Sequence, residues 1–304
     1  MDRFDLSDLL ERARMEHGIV PRIAAGMTEP HAFIQKPAVA TSFFDMRALS
    51  LPSLPNAEGI ASFAPTGESA GKTTKVSAAL IANSLVAKAG AHVIVAAERP
   101  APSTNELALY RDAGALVIVD PATFGAVADG ANATTSPLPV KSADISWPTA
   151  PSIAFSTAIT RRQGKDAGYD LEAAVAHAIV LGLARAADST LLDAIVAASP
   201  SAFTLGAAAT RGLEFAELRA LIGTAATGAA VGQDGTLRAA GVLGELTPTI
   251  AETIVGSFTR AGVAVHPEIS VHAKRTSLYG DMEITVFANM LPLVPDASAF
   301  WKAA

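Results

Sequence analysis

The chain has no cysteine among its 304 residues. This absence excludes disulfides, cysteine-ligated zinc and thiol catalysis. Charged residues make up only 17% of the chain, yet no run of 18 apolar residues occurs without a charge, so no membrane-spanning helix is predicted. The N-terminal stretch MDRFDLSDLLERARMEHG is charged and amphipathic rather than a basic patch before an apolar segment, which favours synthesis in the cytoplasm without export.

Aromatic residues are also scarce, at 6% of the chain, although apolar residues reach 50% and the mean hydropathy is +0.34. The apolar fraction is dominated by 64 alanines. Such a chain is too apolar to be disordered, so it folds or assembles. Because alanine buries little area, the core gains less free energy per residue than one rich in leucine and phenylalanine. We therefore expect part of the stability to come from neighbouring subunits.

Basic residues are outnumbered by acidic ones, 23 to 29, which leaves a net charge of −6. Binding along a nucleic acid requires clustered lysines and arginines, so a broad nucleic-acid-binding face is excluded. Contact with nucleic acid at a few points remains compatible with this charge.

The periodicity of apolar residues predicts an α+β fold rather than a doubly wound sheet. We expect a short amphipathic helix behind Asp5, and then a proline-broken arm up to about residue 56. A strand at His92–Val95 follows, and a capping-box pattern predicts that Ser103–Val119 is helical. Residues 125–151 are rich in loop-forming residues. In the second half of the chain, we predict a long helix that Asp170 caps and that ends at Ser199, before Pro200. Strands are predicted at Val263–Val265, Ile269–Val271 and Met282–Met290. A turn at Gly280 and Asp281 precedes the last strand.

The segment GESAGKTT, residues 67–74, matches parts of two enzyme motifs. A phosphate-binding loop would need a glycine at position 66, which is threonine, so a surface loop is favoured. The same residues complete the nucleophile-elbow pattern around Ser69 and resemble carboxylesterases of the α/β-hydrolase fold. That reading would need a histidine partner, His177, His266 or His272, and a buried strand before Ser69, whereas ASFAPT is a poor strand. The six histidines form no metal-binding pattern, so we expect neither a metal site nor a cofactor.

The C-terminal stretch, residues 249–304, resembles the end of tailed-bacteriophage major capsid proteins of the Hong Kong 97 fold. In that family a segment of the form G-D-F-x-x-A precedes a strand, and here it is Gly256–Ala261, with Ser257 in place of the aspartate. A strand pair carrying an arginine, here Arg275, and a P-D-A-F terminus follow. The terminus here is Pro295–Phe300, which Ala297 and Ser298 lengthen.

The resemblance implies an N-terminal arm at residues 1–53 with a short amphipathic helix. It further implies a peripheral domain at 83–210 and 255–304 with a long spine helix, and an axial domain at 211–254. Two placements of the family's extended β-hairpin loop are open. One, which the length of chain left after the spine helix favours, puts the loop at residues 54–82, with the spine helix beginning near Ser103. The other makes Asp170–Ser199 the spine helix and places the loop at 124–151.

The resemblance also implies a structural protein without catalytic residues. Its copies would form hexamers and pentamers of an icosahedral phage head around double-stranded DNA, which the inner surface would contact without sequence specificity. Portal, scaffolding and decoration proteins would be further partners, no membrane would be involved, and the protein would lie in the virion after assembly in the host cytoplasm. An encapsulin-type compartment shell and an esterase using Ser69 are the alternatives.

Overall fold

The structure is a computed structural model, and it describes residues 6–15, 39–52, 75–97, 114–130, 132, 134–166, 170–277 and 280–303. Its helices are α1 Ser7–Met15, α2 Val76–Asn83, α3 Leu85–Lys88, α4 Arg161–Asp166, α5 Leu171–Ala197 and α6 Leu205–Thr210. Its strands are β1 Val39–Asp45, β2 His92–Val95, β3 Ala115–Val119, β4 Val140–Asp144, β5 Ser152–Ile159, β6 Arg219–Ile222, β7 Ala229–Val231, β8 Leu237–Ala239, β9 Val242–Leu246, β10 Ile254–Gly256, β11 Gly262–Val265, β12 Glu268–Arg275, β13 Met282–Leu293 and β14 Phe300–Lys302.

These elements confirm the α+β class and most of the predicted periods. The long helix α5 begins where Asp170 accepts a hydrogen bond from the backbone N–H of Ala173 at 2.9 Å, as an N-cap does. Helix α1 and strands β2, β11, β12 and β13 lie where the apolar spacing placed them. Asp5, the predicted cap of α1, lies outside the described residues.

One predicted element was wrong. Residues 115–119, which the capping-box pattern assigned to a helix, form strand β3, while 103–113 lie outside the described residues. The segment ALVIV is rich in β-branched residues, and its pairing with β4 decides the conformation over the local helix signal. The longest helix among the described residues is α5, with 27 residues.

The chain divides into two compact units. The first comprises residues 1–83, 151–184 and 266–289, and its sheet has the antiparallel order β1-β12-β13-β5. One face of this sheet is buried, with Ile269, Val271, Ile284 and Val286 in the core. Helix α1 covers β1, and its Arg12 donates hydrogen bonds to the backbone oxygen of Thr41 at 3.3 Å and to Ser42 Oγ at 2.6 Å.

The second unit comprises residues 84–150, 185–265 and 290–304. One of its sheets has the order β14-β10-β6-β9-β8-β7, while β11 pairs with both β2 and the last residues of β13. A separate hairpin joins β3 and β4, with Leu116 packed on Ala264 and Leu293. In both units small side chains recur in the core, and 18 of the 53 buried apolar residues that the structure describes are alanines. The thin core expected from the composition is confirmed for the described chain.

Candidate assembly surface

The most exposed apolar side chains of the described chain lie on one loop. Residues 120–139 connect β3 to β4, and we call this segment the arm, as distinct from the N-terminal arm predicted at residues 1–53. Almost all of its described residues are exposed, including Phe124 at 94% and Leu138 at 81% of their maximal area. The two ends of the arm meet where the backbone N–H of Asp120 donates to the oxygen of Pro139 at 2.8 Å. The arm therefore has a defined base, but its apolar side chains are not buried by the rest of the described chain.

A network of five charged side chains fastens the base of the arm. Asp296 lies at its centre with only 2% of its side chain exposed, and it accepts from Lys141 Nζ at 2.8 Å, Arg211 Nη2 at 2.8 Å and Arg260 Nη1 at 3.0 Å. Arg260 also donates to Asp120 at 2.5 Å, and Lys141 lies 3.4 Å from the same carboxylate. Asp120 begins the arm and Lys141 follows its end, so the network connects both ends of the arm to Asp296.

The electrostatics of this network keep both carboxylates ionised. Burial raises the pKa of Asp296, but the hydrogen bonds of Lys141 and Ser298 and the charge of Arg211 outweigh it and hold that pKa far below its usual range. The hydrogen bond from Arg260 lowers the pKa of Asp120. Burial lowers the pKa of Arg260, and its two carboxylate partners overcome that effect and raise it. The network therefore holds both carboxylates and Arg260 in their charged forms.

The two sequence segments that carry the capsid resemblance meet at this network. Strand β10 pairs Gly256 with Phe300, and a side chain at position 256 would come within 2.6 Å of the backbone oxygen of Ala299. The rings of Phe258 and Phe300 make an edge-to-face contact with centroids 5.4 Å apart, and both are buried. Arg260 then reaches Asp296. The glycine, the phenylalanines and the aspartate of the two segments therefore form one cluster that supports the arm.

Sequence reasoning did not find the network as such. Asp296 and Arg260 lie within the two segments that resemble capsid proteins, but Asp120, Lys141 and Arg211 were not predicted to be functional residues. Their distance along the chain gives no spacing pattern. The available signal was the pair of opposite charges, Asp120 and Lys141, on either side of a loop-rich stretch.

The histidines considered for catalysis belong to the first unit, and none of them is a member of the Asp296 network. Ser69 lies outside the described residues, as does most of the first loop placement, 54–82. Within the first unit, His177 Nε2 lies 2.7 Å from the backbone oxygen of Pro52, and His272 Nδ1 lies 2.9 Å from Thr41 Oγ1. His266 precedes β12 rather than sharing the strand with His272. Arg275 ends β12 and donates to the backbone oxygen of Ser277.

The described ranges contain neither a metal-binding group of side chains nor a membrane-spanning helix. No group of three or more histidine, aspartate or glutamate side chains there is placed to hold a metal ion. None of the helices described has the length and apolar content needed to cross a membrane.

The network predicts an acid-sensitive stability. The folded-state pKa of Asp296 lies below its value of about 3.9 in an unfolded chain, so the unfolded chain takes up this proton first as the pH falls. The stabilisation is complete above about pH 5 and is lost progressively as the pH falls from there towards the folded-state pKa. We expect urea-unfolding free energies measured from pH 7 to pH 3 to decrease more steeply in the native chain than in Asp296→Asn. Parallel curves for the two would contradict the assignment.

Comparison with known proteins gives similarity only to solved structures. No protein-family model matches the chain, and no curated protein matches it. The capsid of a native GTA particle is 14% identical, with 84% of this chain and 96% of that chain covered at a TM-score of 0.43. The capsid of cyanophage P-SCSP1u is 10% identical, with coverages of 81% and 92% and a TM-score of 0.43. A virus-like particle from Pyrococcus furiosus is 14% identical, with coverages of 75% and 98% and a TM-score of 0.39.

Proposed function

We propose that this chain is a major capsid protein of the Hong Kong 97-like fold, which assembles as hexamers and pentamers into the icosahedral head of a tailed phage. The observation that supports this proposal is the exposure of the apolar side chains on the arm, residues 120–139. The arm is an exposed apolar segment held at its base by the cluster in which the two capsid-like sequence segments meet.

The arm supports assembly because its apolar side chains gain free energy only when another copy covers them. Full burial of one side chain such as Phe124 or Leu138 is worth about 1.5–3 kcal/mol. A groove of about 630 Å3 beside the Asp296 network is a candidate surface for such burial. It is lined by the residues after α5, by α6 and by the terminal segment, including Arg211, Phe300 and Trp301. The buried Arg211 Nε on its wall has no hydrogen-bond acceptor in the described chain.

The same proposal assigns the parts of the chain. We assign the family's extended loop to 124–151, because this range contains most of the exposed arm and its returning strand β4. Helix α5 is then the spine helix. The N-terminal arm at 1–53, the peripheral domain at 83–210 and 255–304 and the axial domain at 211–254 are proposed with the boundaries given above.

The proposed role is structural rather than catalytic. An acidic chain with a net charge of −6 suits the wall of a DNA container, since it avoids sticking to the packaged double-stranded DNA. Portal, scaffolding and decoration proteins are the further partners that a phage head implies. The protein would lie in the virion, after assembly in the host cytoplasm.

Electron microscopy of the purified protein tests the proposal. We expect closed shells of uniform size, and an arm-deleted variant, in which a short glycine turn replaces residues 122–138, is the matched control that should remain as small oligomers. A small monomer that hydrolyses p-nitrophenyl acetate, and loses this activity on Ser69→Ala, would overturn the shell function and support the esterase.

A further inference from the structure

Strand β5 is a long sheet edge that carries no feature to prevent pairing. Its eight residues, SIAFSTAI, contain neither a charge nor a proline. On one side β5 pairs with β13 over its whole length, and on the other side no described strand pairs with it. An edge of this kind exposes a row of backbone donors and acceptors that readily accept another strand.

The other sheet edges of the described chain differ from β5. Strands β2, β7 and β14 are only three or four residues long. Strand β1 has seven residues, but Arg12 of α1 bonds to the backbone oxygen of Thr41 on it. Strands β3 and β4 form the hairpin of the arm, which is proposed to contact a neighbour. Short length and cover are the means by which proteins normally protect edges, and β5 has neither in the described chain.

A row of apolar side chains on one face of the sheet also ends at β5. On the buried face of the sheet, Ile153, Phe155 and Ile159 lie beside Ala288, Val286 and Met282 of β13. The β13 residues are buried, whereas Phe155 is 47% exposed because no described strand lies beyond it. A further strand at this edge would continue the apolar row and cover Phe155.

We propose that β5 pairs with β5 of a second copy, antiparallel, about a two-fold axis perpendicular to the sheet. Charge selects this direction. A parallel pair would place Arg161 and Arg162 of one copy beside the same arginines of the other, whereas an antiparallel pair places them beside the start of the partner strand, near Pro151. Since β5 itself is uncharged, pairing it with a second β5 brings no like charges together.

This two-fold contact deepens the proposed function, on which it rests, because every icosahedral shell contains two-fold axes where two copies meet. In an antiparallel pair, the side chains of two residues that lie opposite one another project from the same face of the sheet. The apolar rows of the two copies therefore join across the axis. The axis passes between the two copies of Phe155 or between the two copies of Ser156, the residues at the middle of the strand. The two β5 edges become interior strands of one continuous sheet, and the backbone groups at the free edge of each β5 gain partners.

Single-cysteine cross-linking tests this pairing directly, because the chain has no cysteine of its own. We would prepare Phe155→Cys and Ser156→Cys in the full chain, with Phe43→Cys on β1 as the control, since Phe43 is an exposed phenylalanine, at 65%, on the opposite edge strand of the same sheet. Residues opposite one another in an antiparallel pair have Cβ atoms about 4.5–5.5 Å apart, and disulfides form at the corresponding Cα separations.

Under mild oxidation we expect a disulfide-linked dimer in at least half of the chains for one of the two β5 variants, and at least fivefold less for Phe43→Cys. Equal cross-linking of all three variants, or none in either β5 variant, would overturn the pairing. Electron microscopy of the same samples separates the two proposals. Shells without β5 cross-links would refute only the pairing, while cross-linked dimers that never form shells would refute the shell function and leave the pairing standing.

Discussion

Replacing Asp296 with alanine is expected to lower the free energy of unfolding by about 3 kcal/mol, because it removes the buried carboxylate that three cations share. Loss of one partner of a buried ion pair costs about 3–5 kcal/mol in general. The lower end applies here, since Lys141 and Arg211 each keep 33% of their side chain exposed and can turn towards water. Urea unfolding at pH 7 on unassembled protein measures the change.

The exposed Asp129 on the arm provides the matched control for this substitution. Asp129→Ala removes the same charge from a site in solvent and is expected to change the free energy of unfolding by less than about 0.5 kcal/mol. If both alanine variants unfolded alike, Asp296 would not be the centre of the network. A second variant, Asp296→Asn, retains the size and part of the hydrogen bonding, and should fall between the alanine variant and the native chain.

Replacing Phe124 with serine is expected to raise the protein concentration needed for assembly by about tenfold to a hundredfold, without destabilising the subunit. The reason is the exposure of 94%, which means that folding buries almost none of this side chain. If the neighbouring copy buries it, assembly loses about 1.5–3 kcal/mol for each contact, and about 1.4 kcal/mol corresponds to a factor of ten. Light scattering over a concentration series measures assembly, and urea unfolding measures subunit stability.

Leu138→Ser, on the returning side of the arm, should behave in the same way because Leu138 is 81% exposed. Val231→Ser on the short strand β7 is the control, since Val231 is also exposed but lies outside the arm. Assembly of the Phe124 variant at the native concentration would show that the arm makes no essential contact. Equal loss in the Val231 variant would show that any exposed apolar side chain matters, and the arm would have no special role.

The local elements were largely predictable because their signals lie within short stretches of sequence. Asp170 stands directly before an apolar helical stripe, and the alternation from Met282 to Met290 has the period of a strand. The failure at Ala115–Val119 shows the limit. There a capping pattern in the preceding residues pointed to a helix, but pairing with β4 across a twenty-residue arm made the segment a strand.

The sequence by itself determined the thin, alanine-rich core, the α+β order of elements, the absence of thiol chemistry and the two segments that resemble capsid proteins. Only the tertiary structure decided that these two segments touch, that Asp296 binds Lys141, Arg211 and Arg260, and that no described strand pairs with the outer edge of β5. The physical reason is the separation along the chain of the residues that interact. Helix and strand periods are set by neighbours along the chain, whereas ion pairs and sheet edges depend on which distant residues the fold brings within a few ångströms of one another.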